Sequence, residues 1–301
     1  MVPFLRNIPK NESLEDVLDR FHTEGIEDPH RRRQLAAVRF YIQAVIHACE
    51  GPWRSMHDDV TCYRVLIDQI RHAGNQEVSL VTFNYDRLLE AAIGLETGRQ
   101  VKAIDDYLAL ERYSVYKVHG SVNWGRAVTN LKDTPSRLPE DQITQALIQQ
   151  ASELTYLDEY YLSDDPPPIV RHAEERIVLV PAVAVPLKTK DAFECPPVHL
   201  AALRTQLKRV RRVLVIGWRG FDYHFVDLLK THLPRPFRVQ IVCGGAEDAK
   251  AVLSTLMQRG LDGHYEVLGT TFSEYVISGI GKPFLSPDAD DPILTGAVTP
   301  I

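Results

Sequence analysis

The chain has 301 residues, 45% apolar and 25% charged, which places it among ordinary globular proteins and excludes a disordered, collagen-like or small disulfide-stapled chain. Its 34 basic and 40 acidic residues leave a formal net charge of −6, a balance that argues against a protein held on nucleic acid by phosphate neutralisation. Cys49, Cys62, Cys195 and Cys243 form no C-x-x-C pair, which excludes a zinc ribbon or a thioredoxin-type motif.

No apolar run nears the ~18 residues that a spanning helix needs. The N-terminus, Met-Val-Pro-Phe-Leu-Arg-Asn, lacks the layout of a secretory signal, so a cytoplasmic location is expected. The first third reads as helices. Ser13 and Asp16 resemble a capping box, followed by Leu14, Val17, Leu18 and Phe21 at helical spacing. A second helix carries Leu35, Val38, Ile42, Val45 and Cys49 on one stripe; Arg31 to Arg33 have the wrong charge for a helix N-terminus and are expected before the helix or facing solvent. A third turns Tyr63, Leu66, Ile67 and Ile70 inward.

Beyond residue 77 the pattern becomes short apolar runs, each followed by a turn and a helical stretch. Strands are expected at 78–82, 114–118, 176–180, 213–217, 239–243 and 265–268, and helices at 87–93, 140–154, 198–210, 223–233, 246–259 and 272–277. Continuous apolar strands alternating with helices predict an α/β fold: a Rossmann-like, mostly parallel sheet with helices on both faces and an N-terminal helical insert. The expected organisation is a helical segment over 1–76, a core over 77–283 and a poorly packed, proline-containing acidic tail over 284–301.

In open parallel sheets, ligands bind beyond the carboxyl ends of the strands. There this chain places Phe83-Asn84-Tyr85-Asp86, His119-Gly120-Ser121, Gly217-Trp218-Arg219 and Gly244-Gly245. Glycines let backbone N–H groups approach a ligand, and an imidazole moves protons near neutral pH, so a nucleotide site is the economical reading. Each element also has a plainer one. Asp86 serves equally as a helix cap, Asn84 as a turn former, His119 as a hydrogen-bonded turn residue, and Gly217 and Gly244 as turn glycines.

Taken together, Thr82-Phe83-Asn84-Tyr85-Asp86, Lys117-Val118-His119-Gly120-Ser121 and Ile216-Gly217-Trp218 with Asp222 resemble the ordered motifs of the sirtuin-like family, in particular its bacterial branch. The resemblance spans roughly residues 1–280. It implies an NAD+ site, with Asn84 holding the nicotinamide ribose and a water, Asp86 organising the nicotinamide pocket and His119 acting as general base. Gly120, Ser121, Gly217, Arg219 and Gly244 would line the cofactor. The implied activity is cleavage of NAD+ to nicotinamide and ADP-ribose without a metal. The family context is anti-phage defence, with a homo-oligomer or a second defence component as partner.

Three departures accompany the resemblance. The strand and G-A-G-x-S turn with which family members begin have no counterpart before the first helices, so a first strand is expected to be missing. Arg219 replaces a small hydroxyl residue, either to pair with a phosphate or to block the adenosine pocket. The two C-x-x-C pairs of the deacylase zinc module are lacking, which argues against protein deacylation. The alternative function is a binding or scaffold module that keeps the fold without turnover. A nucleic-acid surface made of Lys208, Arg209, Arg211, Arg212 and Arg31 to Arg33 is the least favoured reading, because bases at a helix end complement its carbonyl terminus.

Overall fold

Helical spacing and capping dictate the first elements. In the computed structural model, which describes residues 12–132, 140–163, 169–172, 175–187 and 192–286, α1 (Leu14–Glu24) is closed by the Ser13–Asp16 capping box and buries Val17, Leu18 and Phe21. Helix α2 (Pro29–Met56) starts behind Asp28, whose side chain accepts from the His30 amide. Arg31 to Arg33 lie within its first turns rather than before it. Arg31 bridges Glu24, and Arg32 donates to the carbonyls of Gly25 and Ile26, so ion pairing and capping of the preceding turn offset the unfavourable charge.

The expected apolar stripe of α2 holds only in part: Val38 is buried, but Val45 and Cys49 are exposed, and the polar Gln43 and Glu50 face inward. Gln43 Nε2 donates to the Val122 carbonyl at 2.9 Å, and Glu50 accepts from Arg87 Nε at 2.7 Å. Helix α3 (Cys62–Ala73) buries Leu66, Ile67 and Ile70 as its spacing predicts.

Five parallel strands follow, each with more apolar than polar residues. Strand β1 (Val78–Thr82) pairs with β2 (Tyr113–Lys117), with α4 (Leu88–Thr97) and a 3-10 turn (Ile104–Leu108) between them. The other ladder joins β7 (Arg212–Ile216), β8 (Arg238–Val242) and β9 (His264–Leu268) in that order, connected by α7 (Tyr223–His232) and α8 (Ala246–Gln258). Helix α6 (Pro197–Leu207) precedes β7, and α9 (Phe272–Ser278) and α10 (Lys282–Leu285) close the described chain. Phe284 in α10 is buried, so packing continues past residue 283; the rest of the expected tail, 287–301, lies outside the described residues.

Between the parallel pieces lies a second sheet that the apolar runs do not announce. Strands β3 (Gly120–Thr129), β4 (Thr155–Leu162), β5 (Ile169–His172) and β6 (Glu175–Val183) form an antiparallel sheet in the order β4-β3-β6-β5, with α5 (Glu140–Gln149) in the β3–β4 connection. The expected strand at 176–180 therefore belongs to an antiparallel sheet, and the helix expected over 140–154 stops at Gln149. The molecule is thus α/β with parallel ladders flanked by helices and a separate antiparallel layer.

Gly120 lets one layer pass directly into the other. Its φ of +81° is a left-handed value, and a Cβ there would stand 1.8 Å from the Ala182 carbonyl oxygen, so only glycine fits the turn from β2 into β3.

Candidate functional site

The register of β1 on β2 pairs Thr82 with Lys117, and the Val118 amide donates to the Thr82 carbonyl, so the segments 83–86 and 118–121 leave the sheet side by side. On the other ladder, the Gly217 amide donates to the Val242 carbonyl at 2.9 Å, and Gly217 has φ +62°. That left-handed residue turns the chain sharply after β7 and sends Trp218 and Asp222 back toward β1.

There the two parallel pieces meet. His119 Nε2 lies 2.9 Å from Asp222 Oδ1, and Trp218 Nε1 donates to the other carboxylate oxygen at 2.8 Å. Phe83 stacks on Trp218 with centroids 5.2 Å apart and planes within 8°, and presents an edge toward the His119 ring at 4.9 Å. Phe225 contacts both aromatic rings from α7. His119 is 4% exposed, so this aromatic cover shields the imidazole–carboxylate pair from water.

The extended chain after β1 alternates sides. Tyr85 follows Phe83 toward Asp222, whose charge adds to burial, the larger cause, in pushing the Tyr85 phenol up. The Tyr85 hydroxyl donates to the Ala184 carbonyl at 2.7 Å. Asn84 and Asp86 turn instead toward α3 and α4. Asn84 is exposed and donates from Nδ2 to the Tyr63 hydroxyl at 2.8 Å, and Asp86 Oδ1 accepts from the Leu88 amide at 3.1 Å in a turn just ahead of α4, whose N-cap is Arg87. Burial, with the Asp86 charge next, raises the Tyr63 phenol to about 12, so it stays protonated beside Asn84.

Beneath this loop, Lys117 is fully buried, with Nζ 3.0 Å from Glu90 Oε1 and donating to the Asp86 carbonyl. A buried ammonium is tolerated only with such partners, and here it ties β2, α4 and the 83–86 loop together.

The remaining expected site residues divide into two groups. Gly120 and Ser121 are buried, and Ser121 Oγ bonds Asn123 Oδ1 at 2.7 Å and the Tyr85 carbonyl, so both serve the turn. Gly217, Arg219 and Gly244 are exposed, and nothing stands within 4 Å of where a Cβ on Gly217 or Gly244 would lie. Their backbone is approachable from solvent. Asp222 stands out as the partner of His119 only in three dimensions; its sequence signal, an aspartate five residues beyond a strand-end glycine, coincides with a helix-start signal. No family model, curated protein or solved structure matches the chain.

Proposed function

We propose that this strand-end cluster binds NAD+ and hydrolyses its nicotinamide–ribose bond. The observation that carries the reading is the His119–Asp222 pair at the carboxyl ends of parallel strands; Asn84 leaves the end of β1 exposed, with its amide on the Tyr63 hydroxyl. Donation from Nε2–H to Asp222 selects the imidazole tautomer whose Nδ1 is the basic nitrogen, and the carboxylate stabilises the imidazolium that forms when a proton is taken. Cleavage of an N-glycosidic bond passes through an oxocarbenium-like state and needs an acceptor for the proton of the attacking water or a ribose hydroxyl. His119 is that acceptor in this reading, and Asn84 orients the water.

The exposed glycines 217 and 244 offer backbone approach along the same edge, as a dinucleotide requires. The Phe83–Trp218 stack covers the pair, so substrate entry displaces it. Nucleic acid is disfavoured by the use of the basic cluster: Arg209 bridges Glu77 at 3.0 Å, Arg211 donates to the carbonyls of Arg235 and Pro236, and Arg212 donates to those of Phe284 and Ser286.

The test is direct. Purified protein incubated with NAD+ is expected to release nicotinamide, with His119→Ala and Asn84→Ala each lowering the rate by about 10²–10⁴-fold. The burial of His119 favours a second reading, a binding module without turnover; calorimetric NAD+ binding with no nicotinamide release would select it. Neither binding nor release would overturn both.

A further inference from the structure

Helix α2 has two faces with opposite surroundings. Its inner face is anchored: Gln43 and Glu50 are buried, Gln43 on the Val122 carbonyl of β3 and Glu50 on Arg87 beside the 83–86 loop. Its outer face runs from Tyr41 to Met56, about 24 Å of helix. Every exposed position in that stretch is uncharged. Four of them are large: Tyr41 is 41% exposed, Val45 40%, Trp53 39% and Met56 78%. The exposed face of α8, by contrast, carries Glu247, Asp248 and Lys250, as a solvated helix does. A four-turn outer face without one charge is the mark of a surface that meets another protein.

We propose that this face pairs with the same face of a second copy of this chain, the two α2 helices lying antiparallel about a two-fold axis at Cys49. Three observations favour a second copy over another occupant, and the first is register. With the axis at Cys49, Tyr41 lies opposite Met56 of the partner, Val45 opposite its Trp53, and Ala48 opposite its Gly51. Bulky residues therefore lie toward the two ends of the contact and small ones at its middle. Small side chains at the crossing let the helix axes approach to the near end of the usual range of about 8–10 Å.

The second observation is charge. The first turns of α2 carry His30 to Arg33, and the chain just past its end carries the exposed Asp58. Antiparallel pairing turns the basic end of one helix toward the acidic end of the other and sets their dipoles in opposition. The third is that no exposed residue from Tyr41 to Met56 is basic, whereas a helix lying on an anionic membrane surface flanks its apolar face with Lys and Arg.

The contact is isologous, so it closes on itself as a dimer. A single helix pair falls at the small end of protein interfaces, and the dimer is therefore expected to be reversible, with a dissociation constant of about 1–100 µM. Pairing braces α2 from outside while its inner face holds β3 and Arg87. The inference does not rest on the NAD+ reading.

Sedimentation velocity on the full chain over that concentration range tests it, and a monomer–dimer equilibrium is expected. Ala48→Glu places two like charges beside the axis and should raise the dissociation constant at least about tenfold, whereas Ala48→Ser should leave it near its original value. Because Ala48 is exposed, both variants should keep the far-UV circular dichroism and urea midpoint of the unaltered chain.

A short bismaleimide supplies an independent readout of the register. It should link two copies through the exposed Cys49, and Cys49→Ser should abolish the link while the sedimenting dimer remains. A monomer throughout the range would overturn the proposal. So would a dimer that survives Ala48→Glu, or a dimer that the reagent does not link through Cys49, since either result would place the contact on another face.

Discussion

The His119 ring is held by three unlike contacts: a carboxylate at Nε2, an aromatic edge from Phe83 and the turn geometry that Gly120 alone permits. Asp222 is itself oriented by the Trp218 indole, so the ring's direction is fixed through two successive hydrogen bonds. Replacing Asp222 by asparagine keeps the volume but can invert the hydrogen bond and so favour the other tautomer. If the pair works as proposed, Asp222→Asn should lower nicotinamide release by about 10²–10⁴-fold while changing NAD+ affinity much less, measured as kcat against calorimetric affinity. Equal loss in kcat and affinity would instead make Asp222 a binding group.

Among the elements, the joint between β2, α4 and the 83–86 loop depends on one buried ion pair. Lys117→Met leaves the Glu90 carboxylate buried without its cation and should destabilise the chain by about 3–5 kcal/mol in urea unfolding. Adding Glu90→Gln should recover much of that loss. The parallel strands were legible because each is a short, largely apolar run, and their observed ends fall within a residue or two of those expected.

The antiparallel layer was not legible, for physical reasons. Strand β3 buries polar Ser121 and Asn123 within a hydrogen-bonded network, which hides its alternation, and β4 is rich in tyrosine and acid beside a short helix. Within the site, Asn84, Asp86 and His119 could be picked out from their places after strands. That Asn84 faces Tyr63 while His119 faces Asp222 follows from the pleat of the loop and the sharp turn at Gly217, which no local motif records.

Across the whole molecule, the layers meet around His199, on α6 beneath Trp124 and Tyr107. Its Nε2 donates to the Ile104 carbonyl at 2.9 Å, Nδ1 is buried with no hydrogen-bond partner among the described residues, and burial lowers its pKa from the ordinary 6.5. A histidine held neutral in the folded state contributes stability that is complete above its unfolded pKa and is lost as pH falls from there toward the folded value, since only the unfolded chain then takes up the proton. Urea midpoints should therefore drop between about pH 7.5 and about pH 5.5, and His199→Gln, which keeps a donor for Ile104, should flatten that part of the drop. An unchanged profile in the variant would assign the acid sensitivity to other groups. No helix among the described residues is long and apolar enough to cross a membrane.

The two members of the imidazole–carboxylate pair come from opposite pieces of the parallel sheet and are far apart in the chain. During synthesis the amino-terminal piece emerges first, carrying His119 without its partner. A nascent or truncated chain that stops before Asp222 therefore has a histidine but no paired base. If the pair is the proton acceptor proposed above, that role requires the second ladder to have docked on the first.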